Sequence, residues 1–326
     1  MDLAPLLAPS TRRLLFDIPL EPAQGTRFQP TGFPDLGAAR YVNANGEQLL
    51  LVESAQSMAN RLEATIWDSG TNSLIPAAAG LSHVRVTDGK GAFLTASILE
   101  AHRLNSAYIE KAKGDFASKT LPAALGSDKK RPLDRKTFVR GLLAYDINAL
   151  LHGVFLESID GRLRLPRALS SFIEASQVTV AASGGVKNDR VRAETDKDSG
   201  ATAKEGFGNV PFHREEFTGI ITAYVNLDVE QIRSYGLDPA ATRLLLTLAL
   251  YKIRALFDGG LRLRTACDLV IANRSGQPYD WKARAPAAFA LPDLATIQAA
   301  LPGAIAACAA EFKGEQGATT VTFEGK

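Results

Sequence analysis

The chain contains 326 residues, of which 46% are hydrophobic and 22% charged, and its formal net charge is +2. These values are typical of an ordinary globular protein with a sizeable core. The net charge is too small to predict what kind of partner the protein binds. Cys267 and Cys308 are too few for a disulfide framework and too far apart for a paired metal-ligand motif, which favours a reducing, cytoplasmic setting. The N-terminus lacks the basic start of a signal peptide. The most apolar run, residues 244–251, is far shorter than the ~20 residues that cross a bilayer, so we expect no membrane association.

Strands and helices alternate in the first third of the sequence. Residues 13–18 alternate as in a strand, and residues 40–52 predict a strand or a hairpin. A helix begins directly after them, at Ser54. Residues 82–87 then predict a strand, and residues 95–113 predict a helix.

A basic surface loop is predicted for residues 126–136. It contains Lys129, Lys130 and Arg131, and Pro132 prevents a regular helix there. The pattern that follows predicts a helix over 138–151, a strand over 153–156 and a helix over 168–175.

Residues 183–209 differ in composition from the rest of the chain. These 27 residues hold five glycines and ten charged side chains but few large apolar ones, which is too little apolar surface for a core segment. Strand-prone residues flank them at 178–180 and 219–227. We therefore interpret the segment as a projecting hairpin or arm between two strands of one sheet, with a basic limb. That limb contains Lys187, Arg190 and Arg192.

The last third begins with a helix that is apolar almost all round, predicted over 238–257 and expected to be buried. Residues 261–271 alternate with a period of two, so they predict a strand with Arg262 and Arg264 on one face. The alanine-rich C-terminus predicts a helix broken at Pro302.

The helix that begins at Ser54 has the strongest functional pattern. Ser54, Ser57 and Arg61 share one face, with Gln56 and Asn60 beside it, while the opposite face carries small and apolar side chains. Hydroxyls, a guanidinium and the free N–H groups of a helix start are the groups that bind a phosphodiester. The pattern indicates a phosphate-binding helix start.

A structural interpretation of the same pattern stays open. Ser54 would then serve only as the N-cap, and Arg61 would pair with Glu53 or Glu63 on an ordinary amphipathic helix.

Patterns for catalysis and for cofactors are missing from the sequence. The chain has no nucleotide-binding P-loop, dinucleotide-binding glycine motif or nucleophile elbow. The four histidines occur singly, without the spacing of a zinc site. The sequence therefore predicts no metal, no cofactor and no enzyme activity. Dispersed basic groups at the ends of elements favour a protein that follows a phosphate backbone and leaves the bases free for pairing.

Residues 50–63, LLVESAQSMANRLE, resemble the signature of the backbone RAMP subunit of type I-U (also called I-G) CRISPR effector complexes. Supporting matches follow in order along most of the chain: AHRLN at 101–105, LLHGVF at 150–155, NVPF at 209–212 and GLRLRT at 260–265.

The resemblance implies an α+β fold, a modified RRM (ferredoxin-like) core with long insertions, in a single elaborated domain over 1–326. It implies that copies stack head to tail along CRISPR RNA, bind other effector-complex subunits and meet target nucleic acid through guide pairing. It also implies that residues 183–209 form a thumb, and that Ser57, Asn60 and Arg61 contact the guide's phosphates.

The full set of predicted RNA-binding residues joins the residue patterns with the resemblance. It comprises Ser54, Gln56, Ser57, Asn60, Arg61, His102, Arg103, Lys129, Lys130, Arg131, Lys187, Arg190, Arg192, Phe212, His213, Arg262 and Arg264.

Two other functions stay open. One is an RNA-guided endoribonuclease like the backbone subunits of type III complexes, which use a loop aspartate. Asp17, Asp35 and Asp268 are the aspartates that we nominate for it, although none stands out. The other is a subunit-interaction module without an RNA role.

Overall fold

The computed structural model describes residues 1–33, 36–128, 130–181, 183–187, 210–273 and 278–325. Its strands are β1 Arg13–Pro22, β2 Gly32–Phe33, β3 Gly37–Ala38, β4 Arg40–Val42, β5 Gln48–Glu53, β6 Trp67–Asp68, β7 Ser73–Leu74, β8 His83–Thr87, β9 Phe93–Ala96, β10 Val154–Phe155, β11 Arg164–Leu165, β12 Leu169–Ala181, β13 Gly184–Lys187, β14 Val210–His213, β15 Glu216–Asp228, β16 Leu261–Arg264, β17 Cys267–Ile271 and β18 Ala318–Thr322. Its α-helices are α1 Ala4–Leu7, α2 Ala55–Ala64, α3 Ala107–Glu110, α4 Leu121–Ala124, α5 Arg135–Tyr145, α6 Asn148–His152, α7 Val229–Ser234, α8 Pro239–Asp258 and α9 Leu294–Ala306.

The main sheet is antiparallel throughout and has the order β16-β17-β1-β15-β12-β5-β4. The strands β17, β1, β15 and β12 form its centre. Along the chain they alternate with two helices in the order β1, α2, β12, β15, α8, β17. The fold is therefore an α+β fold built on an antiparallel sheet.

One face of this sheet is buried and the other is largely open. On β1, Leu14, Phe16 and Ile18 point to the buried face, in register with Leu227, Val225 and Ala223 of β15. Helix α2 packs against β12 and α8, and α8 packs against β17, so the helices cover the apolar face. The alternate positions, which include Asp17 of β1 and Tyr224 and Asn226 of β15, are partly or fully exposed and define the open face.

Several predicted elements are present. The strand at 13–18, the hairpin at 40–52 and the helix after Ser54 correspond to β1, to β4 with β5, and to α2. Helix α8 is buried along most of its length, as its composition predicts. The strands predicted on either side of the arm are the neighbours β12 and β15.

The helix predicted over 95–113 is wrong. The segment begins with the end of β9, and a single 3₁₀ turn, Arg103–Asn105, precedes the short helix α3. Arg103 has a φ of +52°, which interrupts any regular helix. Ser106 then starts α3, because its hydroxyl accepts the N–H of Tyr108 at 3.2 Å.

The helix predicted over 168–175 is also wrong, because these residues belong to β12. Leu169, Ser171 and Ile173 face the core at a period of two, and pairing with both β5 and β15 overrides the local preference.

The predicted strand 261–271 is a tight hairpin of β16 and β17. Helix α9 continues through Pro302, because its buried Leu301 and Ile305 hold that turn against the core.

The base of the predicted arm is a two-stranded antiparallel ribbon of β13 and β14. Residues 188–209 lie outside the described residues, and so does Lys129 of the basic loop. Across the described ranges, no helix has the length and apolar character needed to span a bilayer.

Candidate nucleic-acid interface

The start of α2 has the capped geometry that the sequence predicts. The Ser54 side chain accepts the N–H of Ser57 at 3.2 Å, and Met58 and Leu62 on the opposite face are fully buried. Gln56 is exposed beside the cap. Since Ser54 caps one N–H of the first turn, the other free N–H groups of that turn keep their partial positive charge.

Glu53, just before α2, and Glu63, near the end of α2, both form ion pairs, but not with Arg61. Glu53 accepts a charge-assisted hydrogen bond from Arg264, and Glu63 accepts two from Arg103. Arg61 instead donates to the backbone carbonyls of Leu263, at 2.9 Å, and Arg262, at 3.4 Å. Both pairings in the structural interpretation of Arg61 are therefore wrong.

Arg61, in the last turn of α2, and Arg264 of β16 connect the β16–β17 hairpin to α2 and to the end of β5. Arg264 also donates to the carbonyl of Gln29 at 2.7 Å and lies near that of Val52 at 3.3 Å. This use of its guanidinium corrects the expectation of a free phosphate ligand at Arg264. Arg61 and Arg264 are positioning residues in this structure, because Arg61 holds the last turn of α2 and Arg264 holds the end of β5 against the β16–β17 hairpin.

Arg103 requires the same correction. It is 5% exposed and forms a buried bidentate ion pair with Glu63. Burial raises the pKa of Glu63, and the Arg103 guanidinium opposes that shift. A guanidinium committed to an internal carboxylate is not available to a phosphate. Its neighbour His102 is exposed at the rim of a separate cavity.

A groove of about 420 Å³ opens directly beside the cap of α2. Ser54 and Gln56 line one side, and Tyr41 of β4 and Phe172 of β12 line the other. Both aromatic residues are partly open to solvent, with exposed fractions of 38% and 37%. The groove therefore places aromatic faces next to a helix start, which is the combination that binds bases and phosphates of a single strand.

The aromatic side of the groove is held in place by neighbours on the open face of the sheet. Phe172 stacks on Tyr224 of β15, with ring centroids 5.1 Å apart and planes at 28°. The Tyr41 hydroxyl donates to Glu174. Burial, followed by this hydrogen bond, raises the pKa of Tyr41 well above its usual value. The phenol thus stays neutral and keeps its hydrogen bond to Glu174, which is the one carboxylate among the groove-lining residues.

Arg40 supplies a cation to the same groove. Its guanidinium pairs with Glu215 and lies 4.8 Å from the centroid of the buried Phe217 ring. Sequence reasoning missed Arg40, Tyr41, Phe172 and Tyr224. The alternation of residues 169–175 is the pattern of a strand and could have indicated Phe172, but these residues were predicted to form a helix.

The other predicted residues are dispersed. Asn60 and Arg262 are exposed, with Arg262 lining a different cavity of about 630 Å³. Lys130 and Arg131 are exposed on the basic loop, which Arg162 anchors by donating to the carbonyls of Asp128 and Arg131, each at 2.9 Å.

The remaining predicted residues lie on or near the arm. His213 is exposed at the end of β14. Lys187 and Phe212 lie on the paired backbones of β13 and β14. Lys129, Arg190 and Arg192 fall outside the described residues.

Asp17 and Asp268, the two nominated aspartates within the described residues, lie on different strands and face different arginines. The Asp17 carboxylate lies 3.5 Å from the Arg284 guanidinium, and Asp268 is exposed on β17 opposite Arg262. Asp35 falls in one of the gaps in the described chain. Within the part of the chain that the structure covers, no group of three histidine, cysteine, aspartate or glutamate residues could hold a metal ion.

The family model for CRISPR-associated protein GSU0053 (Cas_GSU0053) matches residues 14–180, half of the chain. The chain belongs to this CRISPR-associated family. The match includes α2, nearly all of β1 and β12, and every residue that lines the groove, and the resemblance drawn from the sequence motifs is confirmed. Comparison with curated protein sequences finds no match.

Two solved structures are similar to this member of the family. One is a chain of a "CRISPR RNA-guided surveillance complex, pre-nicking", with 13% identity, 80% of this chain and 76% of that chain covered, and a TM-score of 0.41. The other is Thermofilum pendens Csc2, with 9% identity, 78% and 63% covered, and a TM-score of 0.27. Both TM-scores are low, so the family assignment rests on the sequence match.

Proposed function

We propose that this CRISPR-associated subunit is a non-catalytic, CRISPR RNA-binding backbone protein, and that copies of it polymerise along the guide in a type I surveillance complex. The observation that carries the proposal is the groove beside α2. It combines the capped helix start at Ser54 with the exposed rings of Tyr41 and Phe172. Phosphate contact at the helix and stacking on the rings would hold a strand without reading its sequence.

The core of the subunit is a modified RRM. The strand order β17-β1-β15-β12, with α2 and α8 on one face, is what supports this part of the proposal. Residues 183–209, which begin in the ribbon of β13 and β14, serve as the thumb over the guide. The open face of the sheet, which carries Phe172 and Tyr224, is then turned toward RNA.

Neighbouring copies meet through a heterologous contact that does not close by rotation, which generates an open helical array. The other partners are further effector-complex subunits, and target nucleic acid joins by pairing with the guide. The internal ion pairs Arg103–Glu63 and Arg264–Glu53 hold the helices and the sheet of each copy together, and the exposed cations lie on the surface of that rigid body.

Titration of labelled guide RNAs of increasing length tests the proposal. Affinity should rise with length, should fall with salt at a slope set by the phosphates contacted, and should differ little between sequences. Nuclease digestion of the complex should leave evenly spaced protected segments. Binding that does not depend on RNA length contradicts the proposal. Regularly spaced cuts in a complementary RNA, in the presence of a divalent metal, would favour the endoribonuclease.

A further inference from the structure

A cavity of about 940 Å³ lies apart from the groove, between the segment around His102 and the β10–β11 hairpin. It shares no lining residue with the groove. Residues 101–105 and 150–155, two of the motifs that resemble the CRISPR family, both border it, although they are far apart in sequence. The fold therefore brings these two motifs to one site.

The walls of the cavity carry an excess of uncompensated positive charge. Arg164 is exposed on β11, and Arg167 is half-buried just beyond it. The Nε of Arg167 is buried and has no hydrogen-bond partner among the described residues. Glu63 neutralises Arg103, and Glu157 is the one carboxylate that lines the walls. Burial, followed by the charge of Arg103, lowers the pKa of Arg167, so an anion placed here would relieve repulsion between the two cations.

His152, which also lines the cavity, has a buried ring nitrogen without a partner among the described residues. It is 1% exposed, and its Nε2 lies 3.0 Å from Nζ of the buried Lys252. Nδ1 is buried without a partner in the described ranges. Burial, followed by the charges of Lys252, Arg103 and Arg167, lowers the pKa of His152 well below its usual value, so the ring is neutral. When Lys252 donates to Nε2, the ring proton resides on Nδ1, which is then a donor for an anion.

An exposed aromatic ring completes the set. Phe155 of β10 is 49% exposed at the rim and lies directly opposite Arg164 in the antiparallel pair. Cross-strand partners on such a ribbon are close neighbours, so a flat apolar face and a guanidinium are presented together. That pairing fits a nucleotide, with its base on the ring and its phosphate on the cation.

We propose that this cavity is a second single-stranded RNA subsite, in which Arg164 and Arg167 bind a phosphate and Phe155 stacks on a base. The inference rests on the proposed function, because it assigns the same RNA a second contact on each copy. Helix α2 links the two sites: Ser54 begins it at the groove, and Glu63 holds Arg103 at the cavity. These two residues are separated along the helix by about 14 Å at 1.5 Å per residue.

Salt-dependent titration of labelled single-stranded RNA tests the subsite. Phe155→Ala should weaken binding about fivefold or more and leave the salt dependence unchanged, because stacking is not ionic. Arg164→Ala and Arg167→Gln should each weaken binding and lower the slope of log affinity against log salt by about 0.7, the value for one lost phosphate contact on a single strand.

Matched controls separate this inference from the proposed function. Arg12→Ala removes an exposed arginine elsewhere on the surface, and Leu94→Ala removes an exposed apolar side chain; both should bind as the wild-type chain does. Thermal unfolding checks that each variant is folded. If the cavity variants bind normally while Phe172→Ala in the groove weakens binding, the subsite is wrong and the proposed function stands. If they lose only the binding of a free nucleoside monophosphate, the ligand is not RNA and the inference is overturned. A wild-type chain that binds no RNA overturns both.

Discussion

The Arg103 guanidinium donates to both carboxylate oxygens of Glu63, at 2.7 and 2.6 Å, and the pair is almost completely buried. Glu63 belongs to α2, whereas Arg103 has a positive φ and lies in the 3₁₀ turn just before α3. A single ion pair therefore connects the helix beside the groove to the rim of the large cavity. Removal of this ion pair should therefore lower the stability of the fold, and any effect on RNA binding should follow from that loss.

Arg103→Ala should lower the free energy of unfolding by about 3–5 kcal/mol, because it leaves the Glu63 charge buried without a partner. Urea denaturation in the absence of RNA measures this. Arg131→Ala is the matched control, since its exposed pair with Asp128 contributes little. A stable Arg103→Ala protein that has lost RNA binding would instead restore Arg103 as a phosphate ligand.

Phe172→Ala should reduce RNA affinity by about 5- to 150-fold, which corresponds to the 1–3 kcal/mol of a stacked base. The ring is partly exposed and rests on Tyr224, so the loss of stability should be small. Fluorescence anisotropy with several unrelated guide sequences measures the affinity, and the loss should be similar for all of them. A loss confined to one sequence would mean that the groove reads bases.

Gly153→Ala should destabilise the chain by more than about 1 kcal/mol. Gly153 has a φ of +77°, and an added Cβ would lie 2.7 Å from the carbonyl oxygen of Leu165 and 3.0 Å from the backbone nitrogen of Arg167. Gly161→Ala, on the same hairpin, would meet no atom within 4 Å and serves as the control. Comparison of the two urea midpoints checks this; equal midpoints would mean that the close approach of the two segments is wrong.

Lys252 should give the stability a specific pH dependence. Burial lowers its pKa from 10.5 to about 7, and Glu63 and Asp146 oppose the shift. Because the folded pKa lies below the unfolded one, the unfolded chain binds more protons between pH 7 and 10.5, and the contribution of Lys252 to the unfolding free energy rises with pH across that window.

Lys252→Met removes this contribution. From pH 7 to pH 9, the wild-type chain should gain roughly 2 kcal/mol of unfolding free energy relative to the variant. Urea denaturation of both proteins at the two pH values measures the difference. Lys282→Met, which changes an exposed lysine, should follow the wild-type curve. Parallel curves for Lys252→Met and the wild-type chain would show that Lys252 titrates as an ordinary lysine.

The sequence predicted correctly those elements whose conformation is decided by residues within the element itself. The cap at Ser54, the buried stripe of α2, the apolar α8 and the strands around the arm all follow from spacing within one element. The family-like motifs also predicted membership correctly.

Partnerships between distant residues could not be predicted in this way. The ion pairs Arg264–Glu53 and Arg103–Glu63 form only because the folded sheet and α2 bring these residues together. The aromatic side of the groove was missed for a related reason. The strand that carries Phe172 reads locally as a helix, and pairing with β5 and β15 decides its conformation.

Ultraviolet cross-linking of guide RNA to the assembled subunit, followed by peptide mass spectrometry, would show whether RNA lies in the groove beside α2. We expect cross-links on the peptides that carry Tyr41 and Phe172, with Phe172→Ala removing those on its own peptide. Cross-links confined to surfaces away from the groove, with none on either peptide, would contradict it.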